Sequence, residues 1–531
     1  MTATSVADIT KSASATLGVT DLAGVTTYHN NLSRDGSNTR EFALTPSNVT
    51  TASFGKRFAC TVDAAVYGQP LWVPNLMING AKHNVIFAVT QHDSIYAFDA
   101  DASPCVTLWS KVGTTTGSLI PTGETWVTSG SGAVDVPCGD LQPAIGIVGT
   151  PVIDLSTNTI YLVTKTKTIT PVAFHQRLHA LDITNGAEKF GGPTEISASL
   201  RSATFTPLKN NQRPGLALVN GNVYIGWSSH CDQGAYQGWM MAYSASTLAQ
   251  VAVFTPAPNA PTSIESGIWM SGGAPAADSS NNLYLITGNG TFDANNASAP
   301  NDDYGDSFLK LSTASGISVA DYFTPSNEST LQTSDADFGS GGAAILVDQP
   351  SGPVQHLVIG GGKDGILFLL NRDNMGKFTS TNSGAVQSLN VGTDSIYATA
   401  AFWNNKLFIG GAFGGGHVQA FDFVTSTGKF NSPSSSQSPT SYGFPGATPS
   451  VSANGTSQGI VWAIDSSQSG TSGSSVLHAY DASNLANELW NSGQVAADRA
   501  GFSVKFTVPT VANGKVYIGT GGEISVYGLK P

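Results

Sequence analysis

Charge is scarce in this chain. Only 11% of its 531 residues are Asp, Glu, Lys or Arg, and Lys and Arg together number 24. The formal net charge is −12, so there is no general basic footprint for nucleic acid. No apolar run approaches the length needed to span a bilayer. No helical apolar periodicity persists over a dozen residues, which removes helical bundles and α/β folds. Four cysteines, Cys60, Cys105, Cys138 and Cys231, stand far apart with no CxxC pair, so a zinc site is not indicated.

What is present is β-rich. Glycine is abundant, 59 residues, and Val, Ile, Tyr, Phe and Thr are spread evenly among Ser, Thr and Asn. An even cysteine count in a lysine-poor chain predicts a secreted or periplasmic protein with up to two disulfides. Cys105 and Cys138 fall in loops of one region and form the preferred pair. Met1 is followed by a polar segment rather than a signal peptide. The expectation is that a native leader has been replaced.

Residues 1–25 are small and polar and read as a flexible arm. From residue 26 one pattern recurs: an apolar strand, a turn, and a strand ending in aromatic-x-Asp or a variant. Eight endings stand out: Tyr96-Ala-Phe-Asp99, His179-Ala-Leu-Asp182, Met241-Ala-Tyr-Ser244, Leu309-Lys-Leu-Ser312, Phe368-Leu-Leu-Asn371, Gln419-Ala-Phe-Asp422, His478-Ala-Tyr-Asp481 and Ser525-Val-Tyr-Gly528. Their spacing leaves room for four strands each. Eight such sheets predict an all-β, eight-bladed β-propeller over 26–531, four antiparallel strands per blade, with no domain boundary. An N-terminal strand from about residues 26–60 is expected to close the last blade and remove its free edge.

The most decorated stretch is Tyr284–Leu311. A strand turns at Gly288-Asn289-Gly290 and returns through a loop carrying Asp293, Asp302, Asp303 and Asp306. Hard oxygen ligands of this kind suit calcium, although Asn and Asp are also ordinary loop residues. His230-Cys231-Asp232 cannot converge on one point, because neighbours in a strand face opposite ways. A disulfide for Cys231 is the simpler reading. The Gly410–Gly416 run is followed by no helix, so it is read as a wide turn near the axis rather than a phosphate loop.

The Ala-aromatic-Asp endings, each followed by a glycine and an aromatic, resemble the tryptophan-docking repeats of the pyrroloquinoline quinone (PQQ) dehydrogenases. The likeness covers about residues 26–530 and is closest to a secreted bacterial branch of PQQ-like repeat proteins. Tyr28-His-Asn-Asn-Leu-Ser-Arg34, Gly146-Ile-Val-Gly-Thr-Pro-Val-Ile-Asp154 and Asp321-Tyr-Phe-Thr-Pro325 carry that branch. The resemblance implies a calcium ligand at Asn289, in the Gly-Asn turn. It implies a catalytic Asp after the Thr-Pro motif, matched by Asp337 with Asp335 as the spare. A quinone-contacting base is matched by Lys363, and Asp232 stands where the family has its calcium Glu. Trp269 lies near the family's tryptophan floor. The family's adjacent cysteine pair is absent, as is a haem-attachment CxxCH. Two functions follow: a calcium- and PQQ-dependent dehydrogenase oxidising an alcohol or sugar, or a non-catalytic propeller binding a polysaccharide or protein.

Overall fold

In the computed structural model, antiparallel four-stranded blades stand in a ring of eight. The structure describes all residues except 1, 15–21, 114, 116, 260–263, 297–300 and 393–394. Thr2–Thr4 pairs with Ser12–Ser14 in a small separate hairpin. No helix among the described residues is long and apolar enough to cross a membrane.

Blade 1 illustrates the build. Leu71–Ile78 lies innermost, followed outward by Ala81–Val89, Ile95–Asp99 and Thr107–Lys111. In Ala81–Val89, Val85, Phe87 and Val89 face blade 2, whereas Ile86 and Ala88 face blade 8. Both faces are thus apolar, and alternation vanishes in favour of a continuous hydrophobic run. Burying each such side chain is worth roughly 1.5–3 kcal/mol, and it is available only if a blade stands on either side. Each of the eight interblade interfaces among the described residues holds its own hydrophobic cluster.

The recurrent Asp is a strand stop. Asp99, Asp182 and Asp481 each turn a carboxylate oxygen back to the backbone N–H two residues on. That local bond competes with continued extension and starts the turn into the outer strand. Trp109, in that outer strand, then donates its indole N–H to the carbonyl of Ile183, 2.9 Å away in the equivalent turn of blade 2.

Blade 8 closes the ring. Its inner strands are Thr510–Ala512, Lys515–Gly519 and Gly521–Leu529, and its outermost strand is Phe54–Ala65. The predicted N-terminal closure therefore narrows to residues 54–65. The preceding residues do something else. Residues 25–38 run around the inside of the ring and bond to the innermost strand of nearly every blade.

The carbonyls of Val25, Thr26, Leu32, Ser33, Asp35 and Gly36 accept from the N–H groups of Trp72, Ile153, Ala277, Ile345, Phe402 and Val451. The Asn38 amide reaches the carbonyl of Val511 in blade 8. At the centre Arg34 is fully buried. Its guanidinium donates to Pro275 O, Thr27 Oγ1, Tyr28 O and Asn31 O. This segment is an axial plug. Its short polar residues supply the carbonyls that the inward edges of the blades lack.

The disulfides correct the sequence reading. Cys105 pairs with Cys60, not with Cys138, and Cys138 pairs with Cys231. Ring closure brings the outer strand of blade 8 beside the loop between the last two strands of blade 1. That neighbourhood cannot be read from spacing.

Candidate functional site

The innermost strands all enter the ring from loops at one end of the axis, and those loops enclose a cavity of about 390 Å3. The plug bonds further along the same strands, so it lies beneath the cavity and seals that side of the channel. Four of the five residues singled out in the sequence, Asp232, Trp269, Asp337 and Lys363, line the cavity. The fifth, Asn289, bonds directly to one of them.

Asn289 sits just beyond Leu283–Ile286, the second strand of blade 4. Its backbone N–H donates to Asp337 Oδ1 at 2.9 Å, and its amide Nδ2 donates to Asp335 Oδ1 at 2.9 Å. Its Oδ1 is buried with no partner. The turn can come this close only because residue 288 is glycine. A Cβ there would lie 2.3 Å from Asp337 Oδ1 and 2.9 Å from the Trp269 ring.

Asp337 is the hub. It is 6% exposed and receives Lys363 Nζ on Oδ2 at 2.6 Å. Lys363 also donates to the Asp335 carbonyl at 3.0 Å. Burial works against the ammonium, but Asp337 and then Asp335 outweigh it, so Lys363 stays protonated well above the ordinary lysine range. Asp232 accepts from Tyr236 OH at 2.6 Å and from Ser229 Oγ at 3.1 Å. Burial pushes its pKa up, Tyr236 opposes this, and the charge of Asp337 pushes it up further.

Of the four acids of the 293–306 loop, three stay together and Asp306 parts from them. Asp302 pairs with Arg201, and Asp303 accepts from Asn259. Asp293 Oδ1 accepts from the Asp303 N–H. Asp306 turns inward beneath the site, where it accepts from the Phe338 N–H at 2.9 Å and burial holds its pKa far above the usual carboxylate range. They do not form one calcium loop.

Several cavity residues were not singled out in the sequence. Cys231 lines the wall through its disulfide to Cys138, so sulfur reaches the site although no adjacent cysteine pair exists. Arg213 and Lys505 bring two further cations, and Tyr397, Phe444 and Phe506 bring aromatic surface. For Arg213, Tyr397, Phe444, Lys505 and Phe506 the available sequence signal was position alone: each precedes an innermost strand by a few residues.

No family model matches the chain, and no curated protein matches it in sequence. Among solved structures, it is similar to a quinohemoprotein alcohol dehydrogenase from Pseudomonas putida HK5, with a TM-score of 0.60 and 13% identity over 95% of this chain and 80% of that one. It is also similar to the quinohemoprotein alcohol dehydrogenase of Comamonas testosteroni, with a TM-score of 0.58 and 12% identity over the same shares of the two chains. At such identities the likeness concerns the fold alone.

Proposed function

We propose that the axial cavity is the site of a calcium- and PQQ-dependent dehydrogenase that oxidises an alcohol or a sugar. The observation that carries this reading is the convergence of Asn289, Asp337 and Lys363 within hydrogen-bonding distance of one hub, in a cavity of about 390 Å3. A cavity of that size lies in the range that holds small cofactors. The donor set suits the pair. The orphaned Asn289 Oδ1, with the carboxylates of Asp337 and Asp232, supplies hard oxygens for calcium. Lys363, Arg213 and Lys505 supply cations for a polycarboxylate. Trp269 and the Cys138–Cys231 disulfide supply ring-packing surface.

PQQ bound there supplies a hydride acceptor, and calcium a Lewis acid beside it. The chain's own residues do the rest. Asp337 takes the proton of the substrate hydroxyl while hydride leaves the carbinol carbon. Asn289 N–H and Lys363 hold its two oxygens in place, and Lys363 balances negative charge that accumulates during reduction. The plug excludes solvent from below. The two disulfides support an extracytoplasmic location.

Titration of chelator-stripped protein with PQQ, with and without calcium, tests the proposal by tryptophan quenching. Saturable, calcium-dependent binding that weakens on Asn289→Ala is expected. Absence of binding at micromolar PQQ refutes it and leaves the propeller as a binding scaffold. The Asp337–Lys363 pair favours that second reading in one respect, because it satisfies both charges without a ligand.

A further inference from the structure

One corner of the cavity wall gathers soft ligands that the proposed reaction leaves unused. A carboxylate oxygen of Asp140 and the sulfurs of Cys138 and Cys231 all lie within 4.8 Å of one another. In the oxidised chain the two sulfurs are bonded to each other and have no thiolate to offer a metal. Reduction turns the same three groups into two thiols and a carboxylate around one point.

Little in the fold has to move for this. Two thiolates on one tetrahedral ion stand about 3.8 Å apart, given metal–sulfur bonds of about 2.3 Å. The two Cα atoms are 6.0 Å apart, so side-chain rotation suffices to open that gap. Bonds other than the disulfide keep the two loops together. Gln233 Nε2 donates to the Pro137 carbonyl at 2.9 Å, which ties the residues beside the two cysteines. Ser129 Oγ donates to the Cys138 carbonyl at 3.1 Å, and the Asp232 N–H donates to Ser229 Oγ at 3.2 Å. Lys505 Nζ, 3.7 Å from Asp140, keeps that carboxylate at the wall.

The corner is also reachable. Cys231 and Asp140 line the cavity, and the Asp140 side chain is 54% exposed. Cys138 is buried behind them. His230 is not a fourth ligand: it turns away to Lys165 Nζ, 2.7 Å from its Nε2, and leaves the fourth position open to the cavity.

We infer that the reduced Cys138–Cys231 pair, together with Asp140, binds a thiophilic divalent cation such as zinc or cadmium. The reductant is a small-molecule thiol. Its thiolate attacks the exposed Cys231 sulfur, the disulfide bond breaks and Cys138 leaves as a thiolate. A second thiol then displaces the first from Cys231, so two electrons enter the protein and two small thiols become one disulfide. The cation takes the place of the two cysteine protons, with two sulfurs, one carboxylate oxygen and water around it. Calcium, a hard ion, keeps to oxygens such as those of Asn289, Asp337 and Asp232, so the two sites sort ions by softness. The wall therefore has two states: a neutral disulfide that packs on a ring, or a charged metal–thiolate that does not. Only this last consequence, that the metal state closes the cavity to PQQ, rests on the proposed function.

The test uses the full chain, reduced with a dithiol, freed of it by gel filtration under nitrogen, and held in excess calcium to fill the oxygen site. Cadmium is titrated and the ultraviolet thiolate-to-cadmium charge-transfer absorption followed; zinc is titrated in competition with a chromophoric chelator. Cys60→Ala/Cys105→Ala removes the other disulfide, so that the signal reports one pair. Saturation at one cadmium per reduced chain is expected, with no signal from the oxidised chain. Asp140→Ala should weaken cadmium by about tenfold or more, and Cys138→Ala/Cys231→Ala should abolish the signal. Circular dichroism checks each fold; if Cys60→Ala/Cys105→Ala does not fold, the difference between the reduced unaltered chain and Cys138→Ala/Cys231→Ala reports the same pair. No saturable signal on reduction, an equal signal from Cys138→Ala/Cys231→Ala, or unchanged affinity in Asp140→Ala overturns the inference. PQQ quenching of the oxidised chain is a separate readout: its absence removes the dehydrogenase and leaves the cadmium result standing, and failure of cadmium to bind leaves PQQ binding untouched.

Discussion

Replacing Arg34 by methionine should damage the protein far more than replacing any exposed arginine. Arg34 is fully buried, and burial lowers its pKa to about 9. Four acceptors hold it at 2.7–3.0 Å. Methionine fills similar volume but leaves three carbonyls, one of them that of Pro275 outside the plug, and one hydroxyl without that donor, at about 1–3 kcal/mol each. Removing the cost of burying the charge offsets part of this, so the net loss is about 4 kcal/mol, in line with other broken buried charge sites.

Melting entropy of about 2.1 cal/mol/K per residue gives about 1.1 kcal/mol/K for the whole chain, so Tm should fall by about 4 °C. Differential scanning calorimetry measures it. Arg201→Met is the control. Arg201 also bonds two side chains, Asn259 and Asp302, but is 49% exposed, and its pair is worth about 1 kcal/mol or less. If Arg34→Met melts within a degree of the unaltered protein, the plug is not held by the bonds assigned to it, and the argument fails.

Other outcomes follow from the same geometry. Gly288→Ala places a methyl group against Asp337 and Trp269, and it should abolish calcium-dependent PQQ quenching while costing about 1–3 kcal/mol of stability, read from guanidinium melts. Replacing Cys138 and Cys231 together by alanine opens a link spanning 93 residues, and it should cost about 4–5 kcal/mol on the chain-entropy account, seen as a Tm shift that reductant exceeds in the unaltered protein because it also opens Cys60–Cys105. Lys165 is buried against the His230 ring and the Leu208 and Asn210 carbonyls, and its pKa is lowered to about 7. Between about pH 7 and the ordinary lysine value the unfolded chain holds the extra proton. This group's contribution to stability therefore rises with pH across that window and falls as pH drops through 7, and Lys165→Met should flatten that part of the stability–pH curve. We propose that residues 26–531 form one unit and 1–25 an arm. Limited proteolysis should remove only the arm, and two separately folded halves would contradict this.

The blades were legible because their signals are local. Asp99, Asp182 and Asp481 mark strand ends through bonds two residues long, and apolar runs such as Val85–Val89 report burial on both faces without reference to distant sequence. The positions of Asn289, Asp337 and Lys363 were legible from motif resemblance, and their proximity is a matter of the ring. The errors arose where distant segments meet. Cys105 was matched with Cys138 because both lie in loops of one region, whereas its partner Cys60 sits on the strand that closes the circle. The plug was read as part of that strand because its residues show neither period. His29, Asn30 and Arg34 all have positive φ, and such a path leaves no apolar rhythm in the sequence. The cavity's Arg213, Phe444 and Phe506 carry no motif at all.

The plug also sets an order of events for biosynthesis. It leaves the ribosome before any of the blades it joins, yet Asn38 meets its partner Val511 across 473 residues, and Gln69, just after it, meets Thr510 across 441. A solenoid can zip from one end as it emerges; this ring is not closed until the blade 8 strands at 510–529 arrive. With contacts this non-local, closure is the slow event, and until then the chain carries open β-edges through the cell. The same residues that seal the finished channel are, for most of the protein's synthesis, its longest-waiting loose end.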